Sequence, residues 1–242
     1  MRKTLKLLGC DYLYQDTPVN LRKIDLNTIT EAQTKNQTIL PAVTNPTTAH
    51  VAYTCKTLEE LKSAILDFTG CALKDSALNT VFADGNPSSQ VMLVGEAPGA
   101  DEDAQGLPFV GQSGQLLNKI FACIGLSRSQ LYIANIVPWR PPGNRTPSSD
   151  EIAICQPFIE QHITLVNPKL LVFLGGVAAK TLLKTNVGIT SLRGKFHDYT
   201  TRDGHVIPCF ATYHPAYLMR SPGQKAQVWH DALRIKLKLA SL

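Results

Sequence analysis

The stretch VMLVGEAPG at residues 91–99 decides the fold, because four apolar residues run directly into a compact turn. A short, continuous apolar run predicts a strand that is buried on both faces of a parallel sheet. The turn from Gly95 to Gly99 matches neither the dinucleotide-binding glycine pattern nor a phosphate-binding loop, so nucleotide cofactors are disfavoured. Its one carboxylate, Glu96, belongs either to a ligand site or to a cap of the next element.

On either side of this strand, apolar runs alternate with helical patterns. Further strands are predicted at residues 131–137, 169–174 and 206–212, and helices at 58–68, 116–124, 176–183 and 225–239. One more helix is predicted to open at Thr146-Pro147, with Pro147 in its first turn and a capping box from Ser148 to Glu151. This alternation predicts an α/β fold: a three-layer αβα sandwich around a central, mostly parallel four-stranded sheet.

The domain organisation follows from composition. Residues 1–55 are polar and poorly periodic, so we expect an N-terminal extension that is either flexible or docked on a single domain at residues 56–242. The basic start that ends in Leu7-Leu8-Gly9-Cys10 is too short and too interrupted for an export signal. Six scattered cysteines without CxxC spacing indicate a reducing compartment, so a cytoplasmic location is expected. No apolar run approaches the roughly 18 residues of a membrane span.

Positive charge is concentrated in the second half of the chain. Residues 140–242 contain thirteen Lys or Arg against six Asp or Glu. A basic half is what binding to nucleic-acid phosphates requires, although a solvated lysine-rich surface gives the same count. The charge therefore permits a DNA-binding function without establishing it.

Unusual residues follow every predicted strand. The segments after the later strands are PWRPPGNR at 138–145, Gly175-Gly176 and YHPAYL at 213–218. Open parallel sheets bind ligands at the carboxyl ends of their strands, so these segments are expected to meet in one site. At the end of the last segment, Tyr217, Leu218 and Met219 form an apolar knuckle suited to entering a base stack. Arg220 follows, a cation suited to holding the phosphate.

Four segments resemble motifs of the family-four uracil-DNA glycosylases, in the order and spacing of that family. They are VGEAPGADED at 94–103, GLPFVG at 106–111, RPPGNR at 140–145 and HPAYL at 214–218. The resemblance, which runs from about Leu58 to the C-terminus, implies a monofunctional DNA-repair hydrolase that flips uracil out of DNA, releases it and leaves an abasic site. The implied partner is uracil-containing DNA, single- or double-stranded, and a monomer without membrane association is expected.

The resemblance also implies roles for individual residues. Phe109 would stack on the flipped uracil, Asn135 would read its amide edge, and His214 would stabilise the charge that develops on uracil O2. Glu96 and Asn144 would position water near the sugar carbon. Backbone amides of the turn would contact the base, at Gly95, Ala97 and Gly99. Side chains would contact the DNA at Arg140, Arg145, Tyr217, Leu218 and Arg220. Glu102 and Asp103 are expected to support the loop.

Three differences from related sequences carry consequences. The family usually holds an iron–sulfur cluster on four cysteines, but only Cys71 and Cys155 match, since Phe68 and Trp139 replace the other two. Two thiolates cannot fill four ligand positions and the bulky replacements suit a filled core, so no cluster or other cofactor is expected. Ala97-Pro98 stands where better-known uracil glycosylases carry an activated aspartate, so catalysis should depend on stabilising the leaving base. The histidine loop that a related group joins covalently to the sugar is also missing.

Two other functions remain open at this point. One is a glycosylase for another deaminated base, xanthine or hypoxanthine. The other is a nucleic-acid-binding relative that retained the fold but lost catalysis. Release of those bases in preference to uracil would identify the first, and DNA binding without base release the second.

Overall fold

The computed structural model describes residues 45–242, in which six strands form one sheet. The strands are β1 (Asp84–Gly85), β2 (Val91–Gly95), β3 (Tyr132–Asn135), β4 (Leu170–Leu174), β5 (Phe196–Thr200) and β6 (Val206–Thr212). Their order across the sheet is β1-β3-β2-β4-β6-β5. The inner strands β3, β2, β4 and β6 pair in parallel, whereas β1 and β5 pair antiparallel at the edges. The predicted parallel centre is therefore confirmed.

The predicted count of four strands missed both edge strands. β1 is only two residues long and lies where no strand was predicted. β5 reads FHDYT and buries only Tyr199, so it lacks the apolar run of the inner strands. Edge strands need not be apolar on both faces, and period-based reasoning does not detect them.

The helices flank the sheet on both faces. They are α1 (Pro46–Thr54), α2 (Leu58–Asp67), α3 (Leu73–Ser76), α4 (Ala100–Gln105), α5 (Gln112–Ala122), α6 (Ser149–Val166), α7 (Gly176–Leu182), α8 (Ile189–Leu192), α9 (Pro215–Arg220) and α10 (Lys225–Leu239). The predicted capping box of Ser148 and Glu151 is present at the start of α6. Pro147, predicted in the first turn, instead precedes the cap, because the Ser148 side chain already accepts from the Glu151 amide.

Alternate residues of the inner strands build two separate cores. Met92 and Val94 pack with α2, α6 and α7 on one face of the sheet. Leu93 and Ile133 pack with α5, α9 and α10 on the other. Because successive side chains of a strand point to opposite faces, this division is that of the predicted αβα sandwich.

The end of the predicted N-terminal extension is part of the packed domain. Helix α1 rests on α6, where Ala52 is fully buried and the Tyr53 hydroxyl donates to Glu160 Oε2 at 2.6 Å. The stretch from Pro46 to Thr54, ahead of the boundary expected at residue 55, therefore packs with the rest of the domain. Residues 1–44 lie outside the described part, where the expected extension stays a prediction. Within residues 45–242, no helix combines the length and apolar character that crossing a bilayer requires.

Candidate active site

The carboxyl ends of the four parallel strands bring the predicted site residues to one edge of the sheet. Gly95 at the end of β2 lies opposite Asn135 at the end of β3. Leu174 at the end of β4 lies opposite Thr212, two residues before His214. The expected convergence of these segments at one edge is confirmed.

Phe109, Asn135 and His214 lie around Gly95 and Gly175. The Phe109 ring and the His214 imidazole are 5.5 Å apart between centroids and tilted by 34°. A β-carbon at Gly95 would collide with Asn135 Oδ1 and with the Phe109 ring. Gly175 approaches His214 with a φ of +100°, a conformation that glycine adopts readily. Two glycines thus let the backbone pass close to these three side chains.

Asn135 holds an unused hydrogen-bond acceptor at this position. The residue is 7% exposed, and its Oδ1 has no hydrogen-bond partner among the residues that the structure describes. A buried polar atom without a partner costs about 1–3 kcal/mol, so native proteins contain few such atoms, and a bound ligand is one way to satisfy them. The Asn135 amide therefore has the geometry of a ligand-binding group.

His214 is arranged as a neutral hydrogen-bond donor. It caps α9, and its Nδ1 accepts from the Ala216 amide at 3.2 Å. Burial, with a smaller contribution from the positive charge of Arg220, lowers the pKa of His214 to about 4. The imidazole is therefore neutral at pH 7, and with Nδ1 accepting, its proton lies on Nε2.

Glu96 and Asn144 are placed differently from each other. Burial raises the pKa of the Glu96 carboxyl, and a hydrogen bond from Thr146 partly opposes this shift. Asn144 is exposed, has a φ of +57°, and its Oδ1 accepts from Arg140 Nε at 2.7 Å. The contacts of Asn144 thus join it to Arg140 and not to the Phe109, Asn135 and His214 group.

The predicted turn amides are not equivalent. The Gly99 amide donates to Glu102 Oε2 at 3.1 Å, so it is used within the loop. Its predicted contact with the base therefore does not fit this arrangement. Ala97 is half-buried and packs against the core, while Gly95 lies beside both Asn135 and Phe109.

Two of the predicted DNA-contacting arginines, Arg140 and Arg145, have side-chain partners. Arg145 donates to both oxygens of Glu151, at 2.8 and 2.6 Å, and this pairing lowers the pKa of Glu151 to about 2. Arg140 lies 3.9 Å from Asp103 Oδ2, besides its bond to Asn144. Both guanidinium groups are therefore oriented by these partners, and DNA phosphates would have to share or replace them.

Leu218 corrects one expectation about DNA contact. Its side chain is fully buried in the core beneath α9, so it cannot enter a base stack without unpacking. Its neighbour Met219 is 42% exposed, and Arg220 is exposed as well. Tyr217 is half-buried against Tyr213, at 4.9 Å between ring centroids. The exposed apolar side chain of the knuckle is Met219.

Two charged groups that the sequence did not single out support the site. Arg128 donates to the backbone of the loop that carries Phe109. Asp231, 1% exposed, accepts from Thr212 Oγ1 and Arg193 Nη2, both at 2.7 Å, at the end of the strand that leads to His214. Neither has a local sequence signal, because each reaches the site from a distant part of the chain.

The position of the family's iron–sulfur cluster does not fit such a group in this chain. Phe68 and Trp139 stack at 6.3 Å between centroids, and the fully buried Trp139 donates its indole N–H to Thr80 at 3.0 Å. A hydrogen bond from Cys155 lowers the pKa of the Cys71 thiol to about 7. Within the described residues, no group of three or more His, Cys, Asp or Glu is placed to hold a metal ion.

Comparisons with known proteins agree with this geometry. The sequence-family model of the uracil DNA glycosylase superfamily matches residues 82–237 of this chain. The chain is 36% identical over 184 residues to the Type-4 uracil-DNA glycosylase of Sulfurisphaera tokodaii, covering 74% of this chain and 83% of that protein. It is 39% identical over 171 residues to the Type-4 uracil-DNA glycosylase of Thermotoga maritima, covering 70% and 87%. A Type-5 uracil-DNA glycosylase of Pyrobaculum aerophilum is 30% identical over 155 residues, covering 58% and 67%. This chain belongs to the uracil-DNA glycosylase superfamily.

Proposed function

We propose that this protein hydrolyses the N-glycosidic bond of uracil in DNA, releasing free uracil and leaving an abasic site. The observation that carries the proposal is the unpartnered Oδ1 of Asn135, which is buried beside the ring of Phe109, itself 5.5 Å from the His214 ring between centroids. A flipped base stacked on Phe109 would offer its edge to this amide. The Type-4 relatives, at 33–39% identity, carry the name of this activity.

The Asn135 amide matches the hydrogen-bonding edge of uracil. Oδ1 accepts from uracil N3–H, while Nδ2 donates to O4. Cytosine presents an acceptor at N3 and a donor at N4, which reverses both bonds and would leave Oδ1 facing a lone pair. A site built around such a pair rejects the wrong base because buried polar groups would stay unpaired.

His214 then stabilises the departing base. Its Nε2–H donates to uracil O2, where negative charge develops as the bond to the sugar breaks. A neutral imidazole suits this role, since it donates a hydrogen bond without needing to lose or gain a proton. The Glu96 carboxylate orients the water that attacks the sugar carbon, and Asn144 and Arg140 shape the loop on that side. Met219 and Arg220 approach the DNA, in place of the buried Leu218.

The enzyme acts without an iron–sulfur cluster. Stacked aromatic side chains fill the space where two of the four cysteines are replaced. The five cysteines of the described residues are all free thiols, which suits a reducing cytoplasm. We propose that the protein acts as a monomer on uracil-containing DNA, with an affinity that falls steeply with salt as phosphate contacts require.

A panel of lesion-bearing oligonucleotides tests this function. Purified protein is incubated with strands that carry one uracil, hypoxanthine or xanthine, single-stranded and paired, and abasic sites are cleaved with alkali. We expect cleavage at uracil and its loss in His214→Ala. Preferential release of hypoxanthine or xanthine would show that the enzyme's substrate is another deaminated base. Intact strands that the protein nevertheless binds would identify a non-catalytic DNA-binding relative.

A further inference from the structure

The loop that carries Phe109 holds this residue in an unusual conformation. Phe109 has a φ of +52°, in the left-handed region that bulky residues avoid. Such a conformation persists only when surrounding contacts fix it, and it is concentrated at binding sites and active sites. The contacts that fix Phe109 are therefore part of what places its ring beside His214.

One guanidinium group fixes the peptide units on both sides of Phe109. Arg128 Nη2 donates to the Pro108 carbonyl at 2.6 Å, and Nη1 donates to the Phe109 carbonyl at 3.0 Å. The first carbonyl belongs to the peptide plane whose rotation sets φ of Phe109, and the second to the plane whose rotation sets ψ. Arg128 thus restrains both backbone angles at once.

A carboxylate completes the restraint from the opposite side. Glu102 Oε1 accepts from the amides of Val110 and Gly111, each at 2.9 Å, and Oε2 accepts from Gly99. The Val110 amide lies in the same peptide plane as the Phe109 carbonyl, so this plane is held at both ends. Glu102 also ties the loop to the Gly95–Gly99 turn, which borders the same site.

The guanidinium group is itself oriented. Arg128 Nε donates to Asp84 Oδ2 at 2.6 Å, and Nη1 also donates to Asn118 Oδ1 at 3.3 Å. Asp84 stands on the edge strand β1, and the Arg128 and Asp84 side chains are 24% and 31% exposed. A planar fork with several fixed donors can hold two carbonyls and one carboxylate together, whereas a lysine offers one point charge.

We propose that Arg128 is a positioning residue for base recognition, which holds Phe109 in its left-handed conformation and so sets the plane on which the extruded base stacks. Asp84 orients the guanidinium group for this role. The inference rests on the proposed function, because it assumes that the ligand of Phe109 is uracil. Arg128 itself does not contact the base.

A double-mutant cycle tests this assignment. Arg128→Ala, Arg128→Lys, Phe109→Ala and the double variants are compared in single-turnover uracil release and in inhibition by free uracil. We expect Arg128→Ala to lower the rate about 10- to 100-fold and to raise the inhibition constant of uracil, with Arg128→Lys in between. In the Phe109→Ala background, Arg128→Ala should cost less than about threefold, because its effect passes through the missing ring.

The inhibition constant separates positioning from general destabilisation. Loss of folded protein lowers the active fraction but leaves the affinity of the remaining molecules for uracil unchanged. Arg202→Ala, which removes an arginine stacked on Tyr53 away from the site, serves as the matched control. If Arg128→Ala fails to fold, Arg128→Lys and Asp84→Asn give the same comparison.

The outcomes distinguish this inference from the proposed function. Equal losses from Arg128 substitution with and without Phe109, or an unchanged inhibition constant, would overturn the positioning role. Wild-type activity in Phe109→Ala would also overturn it, because Arg128 is proposed to act through the stacking of the base on Phe109. Wild-type protein that releases no uracil would overturn the proposed function.

Discussion

Gly95 lies so close to Phe109 that a β-carbon added to Gly95 would come within 2.6 Å of Phe109 Cζ. The same β-carbon would collide with Asn135 Oδ1. The proposed stacking and base-reading side chains therefore both pack closely against the backbone at the end of β2. The absence of a side chain there is a structural requirement of the site.

Gly95→Ala should therefore abolish most activity. The methyl group would displace the Phe109 ring and the Asn135 amide from their present positions, with an expected loss of about 100-fold in single-turnover uracil release. Gly223→Ala is the matched control, since nothing lies within 4 Å of a β-carbon at that position. A Gly95→Ala enzyme as fast as wild type would show that these side chains need not be so close.

The pH dependence of the rate should report Glu96 and not His214. The pKa of His214 is lowered to about 4, so the imidazole stays neutral from pH 8 down to about pH 5. Burial raises the pKa of Glu96, and protonation removes the carboxylate that orients water, so the rate should fall on the acid side. We expect this acid limb to persist in the slower His214→Gln enzyme and to vanish in Glu96→Gln. An acid limb lost with His214 would reverse the assignment.

The free energy of unfolding should fall below about pH 6.5 because of the buried imidazole of His162. Burial lowers the pKa of His162 to about 3, and its Nε2 lies 2.6 Å from the Tyr132 hydroxyl. Between that value and about 6.5, the unfolded chain binds a proton that the folded chain does not, so the free energy of unfolding falls as the pH falls. Urea unfolding at pH 7 and pH 5 measures this drop, which should be smaller in His162→Gln. An equal drop in both proteins would exclude His162 as its source.

Substitutions at two adjacent residues of α9 should affect different properties, one stability and the other DNA binding. Leu218 is fully buried, so Leu218→Ala should lower the free energy of unfolding by about 2–5 kcal/mol. Met219 is 42% exposed, so Met219→Ala should preserve stability and weaken binding to uracil-containing DNA. Denaturant unfolding and DNA titration on both variants check this. Stable Leu218→Ala protein with impaired DNA binding would restore the original expectation for Leu218.

The buried Trp139 side chain should contribute to stability. Trp139 is fully buried against Phe68, so Trp139→Ala should lower the free energy of unfolding by about 3–5 kcal/mol, as a large core truncation does.

Activity should persist without iron. Purified protein should show no absorbance band near roughly 400 nm, the region typical of iron–sulfur proteins. Chelator and oxidant treatment should leave uracil release unchanged. A brown protein whose activity disappears with its colour would contradict this view.

Sequence patterns predicted the parts of the fold that depend on local periodicity. Strand Val206–Thr212 and helix Lys225–Leu239 have the predicted bounds, because apolar spacing marks both. The edge strand Phe196–Thr200 escaped prediction, since pairing on one side does not require a continuous apolar run. The placement of Asn135 and His214 at one edge of the sheet followed from topology, because parallel strands have their carboxyl ends at the same edge.

Other features of the site depend on contacts that sequence spacing does not encode. The short helix Pro215–Arg220 does not reveal from its pattern that Leu218 faces the core while Met219 faces outward. The contact of Arg128 with Phe109 spans 19 residues and depends on the path of the intervening helix. No motif marks Arg128, and only the three-dimensional structure reveals its hydrogen bonds to the loop that carries Phe109.

The single-turnover rate of uracil release by Asn135→Ala, relative to wild type, tests the central claim most directly. If the buried amide reads the base, its removal should slow release by about 100-fold or more, since both hydrogen bonds to the uracil edge are lost. Asn79→Ala, which removes a side-chain amide that donates to the carbonyls of Asp103 and Ala104 in α4, provides the comparison. A rate equal to that of wild type in Asn135→Ala would contradict the account.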